Sequence, residues 1–239
     1  MTTKTTFEQV IDAFDELLTE IIDSGGNPID LFEMLLTWFS ADVFDSSGIG
    51  SYTLAPFHLD LMLRMLRPQY EILDPFAFTG GTFIRTQEIV EDLSAMNFKG
   101  QESSLVAWRI LKIYLLAKGV SSASVKWASR GCLLDNKFSQ QEAKCVIARP
   151  SFQEGPWGQE QLLHDGRWAF GLPPVERADY AYLQHVHYLL APGGRAGMVL
   201  PARTLDAIND GEESIRREFV SRGCVECVVL LPHGIFFQS

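Results

Sequence analysis

Residues 74–83 read Asp-Pro-Phe-Ala-Phe-Thr-Gly-Gly-Thr-Phe, and this stretch decides the fold class. It follows a short apolar run at 71–73 and leads into residues 83–93, where apolar positions recur at helical spacing. A strand that passes through a tight turn into a helix N-terminus commonly presents backbone N–H groups to a ligand in α/β proteins. Phe78 is the exception in this pattern, because it places a bulky ring inside the turn.

The alternation of strand and helix continues beyond this stretch. Apolar runs predict strands, and three- and four-residue apolar spacing predicts helices between them. Strands that alternate with helices predict an α/β fold with a doubly wound, mostly parallel sheet. The predicted strands are 71–74, 98–101, 124–128, 144–148, 195–200 and 225–231, and the predicted helices are 56–66, 80–95, 103–118, 178–190 and 215–222.

The first 46 residues have a different character. Residues 7–22 carry an apolar stripe typical of an amphipathic helix, and Pro28 begins a second helix that extends to Phe39. A Ser/Gly-rich loop at 46–52 marks the boundary. We therefore predict a helical lobe at 1–46 and an α/β domain at 47–239. The lobe either covers the core or, since acidic residues alternate with its stripe, docks a partner.

Composition narrows the class of protein. With 239 residues and 46% hydrophobic content, the chain can bury one substantial core. Its 20 basic and 30 acidic residues give a net charge of -10, which argues against unaided binding of nucleic acid. Four cysteines without a signal peptide predict a reducing cytoplasm. No apolar run reaches the ~18 residues that span a bilayer.

Two residue pairs have the side chains that bind metals. Cys224 and Cys227 lie within or beside the predicted strand 225–231, where an offset of three directs side chains to opposite faces. His185 and His187 are two residues apart on a predicted helix and also face differently. We therefore predict no metal site.

Ligand-binding residues are expected at the carboxyl ends of the strands. In a doubly wound sheet the ligand lies there, at the switch in strand order. Residues 74–81, 101–102, 131–132 and 149–152 should then converge. Glu102 could accept hydrogen bonds from a ribose diol, or it could be a solvated residue that caps the following helix.

Several later motifs resemble one family. Residues 178–185 read ADYAYLQH and residues 190–201 read LAPGGRAGMVLP, followed by matching segments at 213–217 and 230–237. From Gly50 to Ser239 the chain resembles the methylation (M) subunits of type I restriction-modification systems, which are S-adenosylmethionine-dependent adenine-N6 DNA methyltransferases. The resemblance implies a Rossmann-like methyltransferase fold, which in this class ends with an antiparallel seventh strand between strands five and six. That strand is apparently missing here.

The resemblance also assigns cofactor-binding positions. The family motif D-P-A-C-G-[ST]-G-G-F aligns with residues 74–82, so that Asp74, Thr79, Gly80 and Gly81 match it. Phe78 replaces its central glycine, and this ring should either fill the pocket or force the turn open. Other implied contacts come from Tyr52 and Thr53, from Glu102, and from Cys132, which replaces an aspartate that contacts the cofactor adenine.

The catalytic position departs from the family as well. The family's N-P-P-[FYW] tetrapeptide aligns with Arg149, Pro150, Ser151 and Phe152. The family asparagine accepts a hydrogen bond from the amino group of a flipped adenine while the aromatic ring stacks on the base. Arg149 offers only donors, so it cannot take that role.

These changes predict a catalytically degenerate methyltransferase domain that acts as a structural or DNA-positioning subunit. The alternative is an active adenine-N6 methyltransferase with an atypical site. A third hypothesis is that the pocket binds another nucleotide, with Arg149 meeting a phosphate. The implied partners are a specificity subunit or another restriction-modification component, and DNA held through that partner. A second copy of the chain is a further candidate partner.

Overall fold

The computed structural model describes residues 57–90, 96–117, 124–150, 156–206 and 210–232, together with positions 16, 19, 20, 23–25 and 121. The chain divides into two compact units, Met1–Leu54 and Ala55–Ser239. In the first unit, Glu16, Thr19, Glu20 and Asp23 are helical and exposed, as the polar face of the predicted helix requires. The rest of the predicted lobe lies outside the described residues, and its boundary at residue 46 stays a prediction.

Helices and strands alternate through the described part of the second unit. The helices are α1 (Phe57–Leu66), α2 (Gly81–Ile89), α3 (Leu105–Ala117), α4 (Asp179–Leu189) and α5 (Asp210–Ser221). The strands are β1 (Glu71–Asp74), β2 (Asn97–Glu102), β3 (Val125–Trp127), β4 (Ala143–Ala148) and β5 (Leu190–Met198). The first five predicted strands and all five predicted helices are present, although α2 ends at Ile89 instead of residue 95 and α5 begins at Asp210 instead of residue 215.

The five strands form one parallel sheet in the order β3-β2-β1-β4-β5. The chain adds β2 and β3 on one side of β1, and then returns to add β4 and β5 on the other side. The strand order therefore switches between β1 and β4, as the predicted doubly wound sheet requires. The carboxyl ends of these two strands define the place where a ligand is expected.

Adjacent residues of β1 show how the sheet is covered on both faces. Ile72 and Leu73 are both fully buried, and alternation along a strand directs them to opposite sides. Ile72 packs in a cluster with Leu59 of α1, Phe83 of α2 and other residues of that layer. Leu73 packs with α4, including Leu189. Apolar residues at successive positions are thus explained by a sheet buried between two helical layers.

The predicted sixth strand is wrong. Residues 224–232 follow α5 but join no strand, and Val228, Val229 and Leu230 are 57%, 51% and 72% exposed. A strand needs a hydrogen-bonding neighbour, and none of the described residues provides one beyond β5. Cys224 and Cys227 are accordingly exposed thiols outside the sheet. The two thiols are therefore not held on opposite faces of a strand.

Residues 192–194, Pro-Gly-Gly, lie inside β5. Ala143 of β4 pairs with Leu190 of β5, and Cys145 pairs with Arg195. Between these two pairs β4 has one residue, Lys144, whereas β5 has four, residues 191–194. Gly193 has a φ of 72°, a left-handed conformation that a side chain would disfavour. The strand therefore begins five residues earlier than predicted, because the extra residues bulge while the chain stays at the sheet edge.

The long segment between β4 and α4 is packed against the domain over its described part, residues 156–177. Trp157 and Trp168 meet edge to face at 5.6 Å, and the Trp157 indole donates to the Pro174 carbonyl at 2.8 Å. Phe170 is 6% exposed and stacks on Phe219 of α5. These aromatic residues therefore pack against the domain instead of forming an exposed surface. In the described part of the chain, no helix is long and apolar enough to cross a membrane.

Candidate ligand site at the carboxyl ends of the strands

The turn after β1 is closed by its own backbone. The Gly80 N–H donates to the Ala77 carbonyl at 2.8 Å, and the Ala77 N–H donates to Gln101 of β2 at 3.0 Å. Phe78 has a φ of 47°, so it keeps a left-handed conformation although it is not glycine. Of the two outcomes expected for Phe78, a turn forced open is therefore wrong.

Gly80 is required by this geometry. Its φ is 94°, and a Cβ atom there would lie 2.4 Å from the Cδ1 atom of Leu111 on α3. The turn thus approaches α3 too closely for any side chain at position 80. Next to it, Thr79 is buried and Gly81 begins α2.

Asp74 ends β1 with its carboxylate directed back into the turn. One oxygen accepts from the Thr82 hydroxyl at 2.6 Å, and the other accepts from the Phe76 N–H at 2.9 Å. The residue is 2% exposed. Burial raises the pKa of the Asp74 carboxyl to about 6, although the two hydrogen bonds act in the opposite direction. Asp74 therefore holds the turn against the first turn of α2.

Glu102 ends β2 and joins two segments. Its Oε2 atom accepts from the Phe78 N–H at 2.8 Å, and its Oε1 atom accepts from the Ser104 N–H at 2.6 Å and the Ser103 hydroxyl at 3.3 Å. The bond to Ser104 matches the predicted capping role. Glu102 is only 7% exposed, however, and burial raises its pKa, so the expectation of a solvated glutamate is wrong.

Cys132 lies beside this carboxylate after β3. It is 8% exposed, and burial raises the pKa of its thiol, with the Glu102 charge acting in the same direction. Gln101 fixes the segment, since its amide donates to the Cys132 carbonyl at 3.0 Å and accepts from the Lys137 N–H at 2.9 Å. A buried neutral thiol is a weak hydrogen-bonding group for a ligand.

Arg149 follows β4 at the catalytic position implied by the resemblance. Its Nη1 atom lies 3.5 Å from Nε2 of His58 on α1, and its charge partly opposes the burial that raises the pKa of Asp74. Pro150 is buried, whereas Ser151 and Phe152 lie outside the described residues. Tyr52 and Thr53 also lie outside the described residues. Four of the predicted site residues are therefore not described by the structure.

The structure brings the other predicted segments together at the carboxyl ends of the strands. Two side chains that sequence reasoning missed complete the arrangement: Thr82, which bonds Asp74, and His58, which faces Arg149. Thr82 could have been found from its place in the first turn of a helix after an aspartate. No sequence signal points to His58, because it lies within the apolar pattern of α1. In the described part of the site, the acidic side chains accept hydrogen bonds from the protein itself.

Comparison with known proteins gives this edge of the sheet its context. Residues 29–239 match the N-6 DNA Methylase family. The chain belongs to the N-6 DNA methylase family. The match includes β1 through β5 and every predicted site residue, so the family resemblance of the motifs is confirmed.

The N-6 DNA methylase relatives include methylase subunits of type I restriction enzymes. The HindI methylase subunit of Haemophilus influenzae is 27% identical over 195 residues, covering 80% of this chain and 44% of the relative. The MjaIX methylase subunit of Methanocaldococcus jannaschii is 29% identical over 178 residues, covering 70% of this chain and 31% of the relative. The chain thus spans less than half the length of these relatives.

Solved structures agree on the fold. The methyltransferase subunit of a type I restriction-modification system from Streptococcus thermophilus superposes with a TM-score of 0.64 at 21% identity. The superposition covers 73% of this chain and 39% of that chain. The Rossmann-like methyltransferase fold predicted from the sequence is therefore confirmed.

Proposed function

We propose that this N-6 DNA methylase domain has lost methyl transfer and acts as a structural or DNA-positioning subunit in a type I restriction-modification system. Family membership and the named relatives support the setting. Arg149 at the catalytic position, where the family has a hydrogen-bond acceptor, carries the proposal of degeneracy.

Two side chains at the strand ends bear on S-adenosylmethionine, the cofactor that the family resemblance implies. A ribose diol would donate to the Glu102 carboxylate, where Oε1 already accepts two bonds, from Ser103 and Ser104, and Oε2 accepts one from the Phe78 N–H, which leaves one acceptor site on Oε2. A buried thiol at Cys132 replaces the carboxylate expected to contact adenine. The residues present do not fit the cofactor, and we derive no chemical step through it.

The catalytic position supports the same proposal. The guanidinium of Arg149 supplies donors and a permanent positive charge. The amino group of an adenine needs an acceptor at this point, and losing one transition-state hydrogen bond of this kind costs on the order of 2.7 to 4 kcal/mol. With His58 at 3.5 Å and Asp74 nearby, Arg149 serves the packing of the domain.

The net negative charge of the chain bears on how DNA would be bound. A chain with a net charge of -10 lacks the excess of cations that phosphate contacts require. We propose that a specificity subunit supplies the DNA contacts and that the assembly works in the cytoplasm. Association between two copies of the chain is compatible with this arrangement.

One observation favours the alternative, an active methyltransferase with an atypical site. The turn at residues 77–80 keeps its closed backbone and its left-handed residue at position 78 despite the loss of glycine. The turn therefore keeps its shape at the start of α2.

Isothermal titration of the full chain with S-adenosylmethionine separates the two functions. The proposal expects no binding by the native chain, and recovery of binding in Phe78→Gly/Cys132→Asp/Arg149→Asn. The control variant Leu163→Gly/Cys224→Asp/Arg217→Asn makes similar changes at exposed positions and should not bind. Micromolar binding by the native chain, with methyl transfer to adenine-containing DNA in the presence of a specificity subunit, would refute degeneracy.

A further inference from the structure

Helix α3 has no polar face. Its 13 residues, LVAWRILKIYLLA, include only two charged side chains, Arg109 and Lys112. One side packs on the sheet through residues such as Leu111 and Leu115, which are fully buried. An isolated surface helix normally turns charged or polar residues to water on its other side. In α3 that other side is apolar.

The exposed residues of α3 form a regular stripe, which we call the α3 outer face. It consists of Val106, Arg109, Ile113 and Leu116, at successive spacings of three, four and three residues. Val106, Ile113 and Leu116 are 56%, 53% and 63% exposed. This spacing places them along one line of the helix, which is the arrangement that a second helix packs against. The stripe extends about 15 Å, or roughly three helical turns.

Two tryptophans give one flank of the α3 outer face a fixed shape. Trp127 of β3 is 41% exposed, and its indole donates to the Ser103 carbonyl at 3.1 Å. The Trp108 indole donates to the Val125 carbonyl at 3.2 Å, and its ring centre lies 6.4 Å from that of Trp127. The ammonium of Lys112 sits 5.0 Å from the Trp108 ring centre. Exposed rigid aromatic residues beside an apolar stripe are typical of protein interfaces.

The positive charge of α3 favours an acidic partner at the α3 outer face. Both charged residues of α3 are cations, in a chain whose acidic residues outnumber basic ones by 30 to 20. A second copy of α3 would bring two more cations and no anion to the contact. An acidic helix would instead place carboxylates beside Arg109 and Lys112 while its apolar residues cover Ile113 and Leu116. We infer that the α3 outer face docks an acidic amphipathic helix of a partner protein, a site that is independent of the proposed function.

The test uses the full chain and two fluorescein-labelled synthetic helical peptides of three to four turns. Both peptides carry leucine at positions a and d, with glutamate on the flanks of one and lysine on the flanks of the other. Fluorescence anisotropy should show binding of the glutamate peptide at least about tenfold tighter than binding of the lysine peptide. Ile113→Glu should weaken binding of the glutamate peptide at least tenfold, and Arg109→Glu should reverse the preference between peptides.

Val220→Glu is the matched control, because Val220 is an apolar residue of α5 that is 62% exposed. This variant should bind the glutamate peptide as the native chain does. Equal binding of both peptides, or unchanged binding by Ile113→Glu, would overturn the inference. Sedimentation that shows a dimer of the chain alone, dissolved by Ile113→Glu, would also overturn it, since the occupant would then be a second copy.

Discussion

Phe78 holds a backbone conformation that glycine adopts more easily, and Glu102 helps to fix it there. The left-handed region costs an ordinary residue roughly 1–2 kcal/mol, so surrounding bonds must over-determine it. The bond from the Phe78 N–H to the buried Glu102 carboxylate is charge-assisted and belongs to the stronger class. A residue that looks damaging in the sequence is thus accommodated with the help of a polar contact to Glu102.

His185 is a second residue whose environment has a measurable consequence. It is fully buried, Arg167 lies 3.2 Å from its Nδ1 atom, and burial lowers its pKa to about 3. The unfolded chain binds a proton near the ordinary histidine pKa of about 6.5, whereas the folded chain resists it. Stability from His185 is therefore complete above pH 6.5 and is lost as the pH falls toward 3.

We expect the native chain to lose about 1.4 kcal/mol of this contribution between pH 7.5 and 5.5, and His185→Gln to lose none of it. Urea unfolding at the two pH values measures the difference. Asp74, whose pKa is raised to about 6, acts in the opposite direction, but it is present in both proteins and cancels. His164→Gln, at an exposed position, should match the native chain. A pH dependence unchanged by His185→Gln would contradict the prediction.

At the scale of elements, the contact between the turn after β1 and helix α3 fixes the site. Gly80 lies against Leu111, which is fully buried, so an added methyl group would have to displace a packed side chain. The packing of α2 and α3 on one face of the sheet therefore depends on a position without a side chain.

Gly80→Ala should destabilise the fold more than Gly131→Ala, which makes a matched pair with it. The two glycines have φ values of 94° and 92°, but no atom lies within 4 Å of a Cβ at Gly131. Both variants incur roughly 1–2 kcal/mol for the left-handed backbone, and Gly80→Ala adds a further ~1–3 kcal/mol for overpacking. Chemical unfolding measures both. Equal losses would show that Leu111 relaxes freely.

At the scale of the whole molecule, the sheet has two different edges. β3 ends one edge and is only three residues long, while β5 ends the other with nine residues that are largely half-buried or exposed. Within the described residues β5 pairs only with β4, so its outer N–H and C=O groups have no strand beside them. Residues 224–232 meet it through side chains, with Arg195 and Glu226 2.6 Å apart.

Hydrogen exchange should report this asymmetry. Amides of β5 should exchange at least about tenfold faster than those of β4, which lies between β1 and β5. Mass spectrometry of peptides that cover 190–198 and 143–148 measures the ratio. Equal protection of both peptides would mean that another strand pairs with the outer edge of β5.

The order of the first five strands and of the helices between them follows from the sequence, because apolar runs and helical spacing reflect burial on two faces of a sheet. The sequence also determined the family and the segments that meet at the site. That residues 225–231 form no strand is visible only in the tertiary structure, since an apolar, Val-rich run becomes a strand only when another strand bonds to it. Likewise, the partner of Glu102 could not be read from the sequence. Its contact with Phe78 joins residues 24 positions apart, and such contacts depend on how the strands pack.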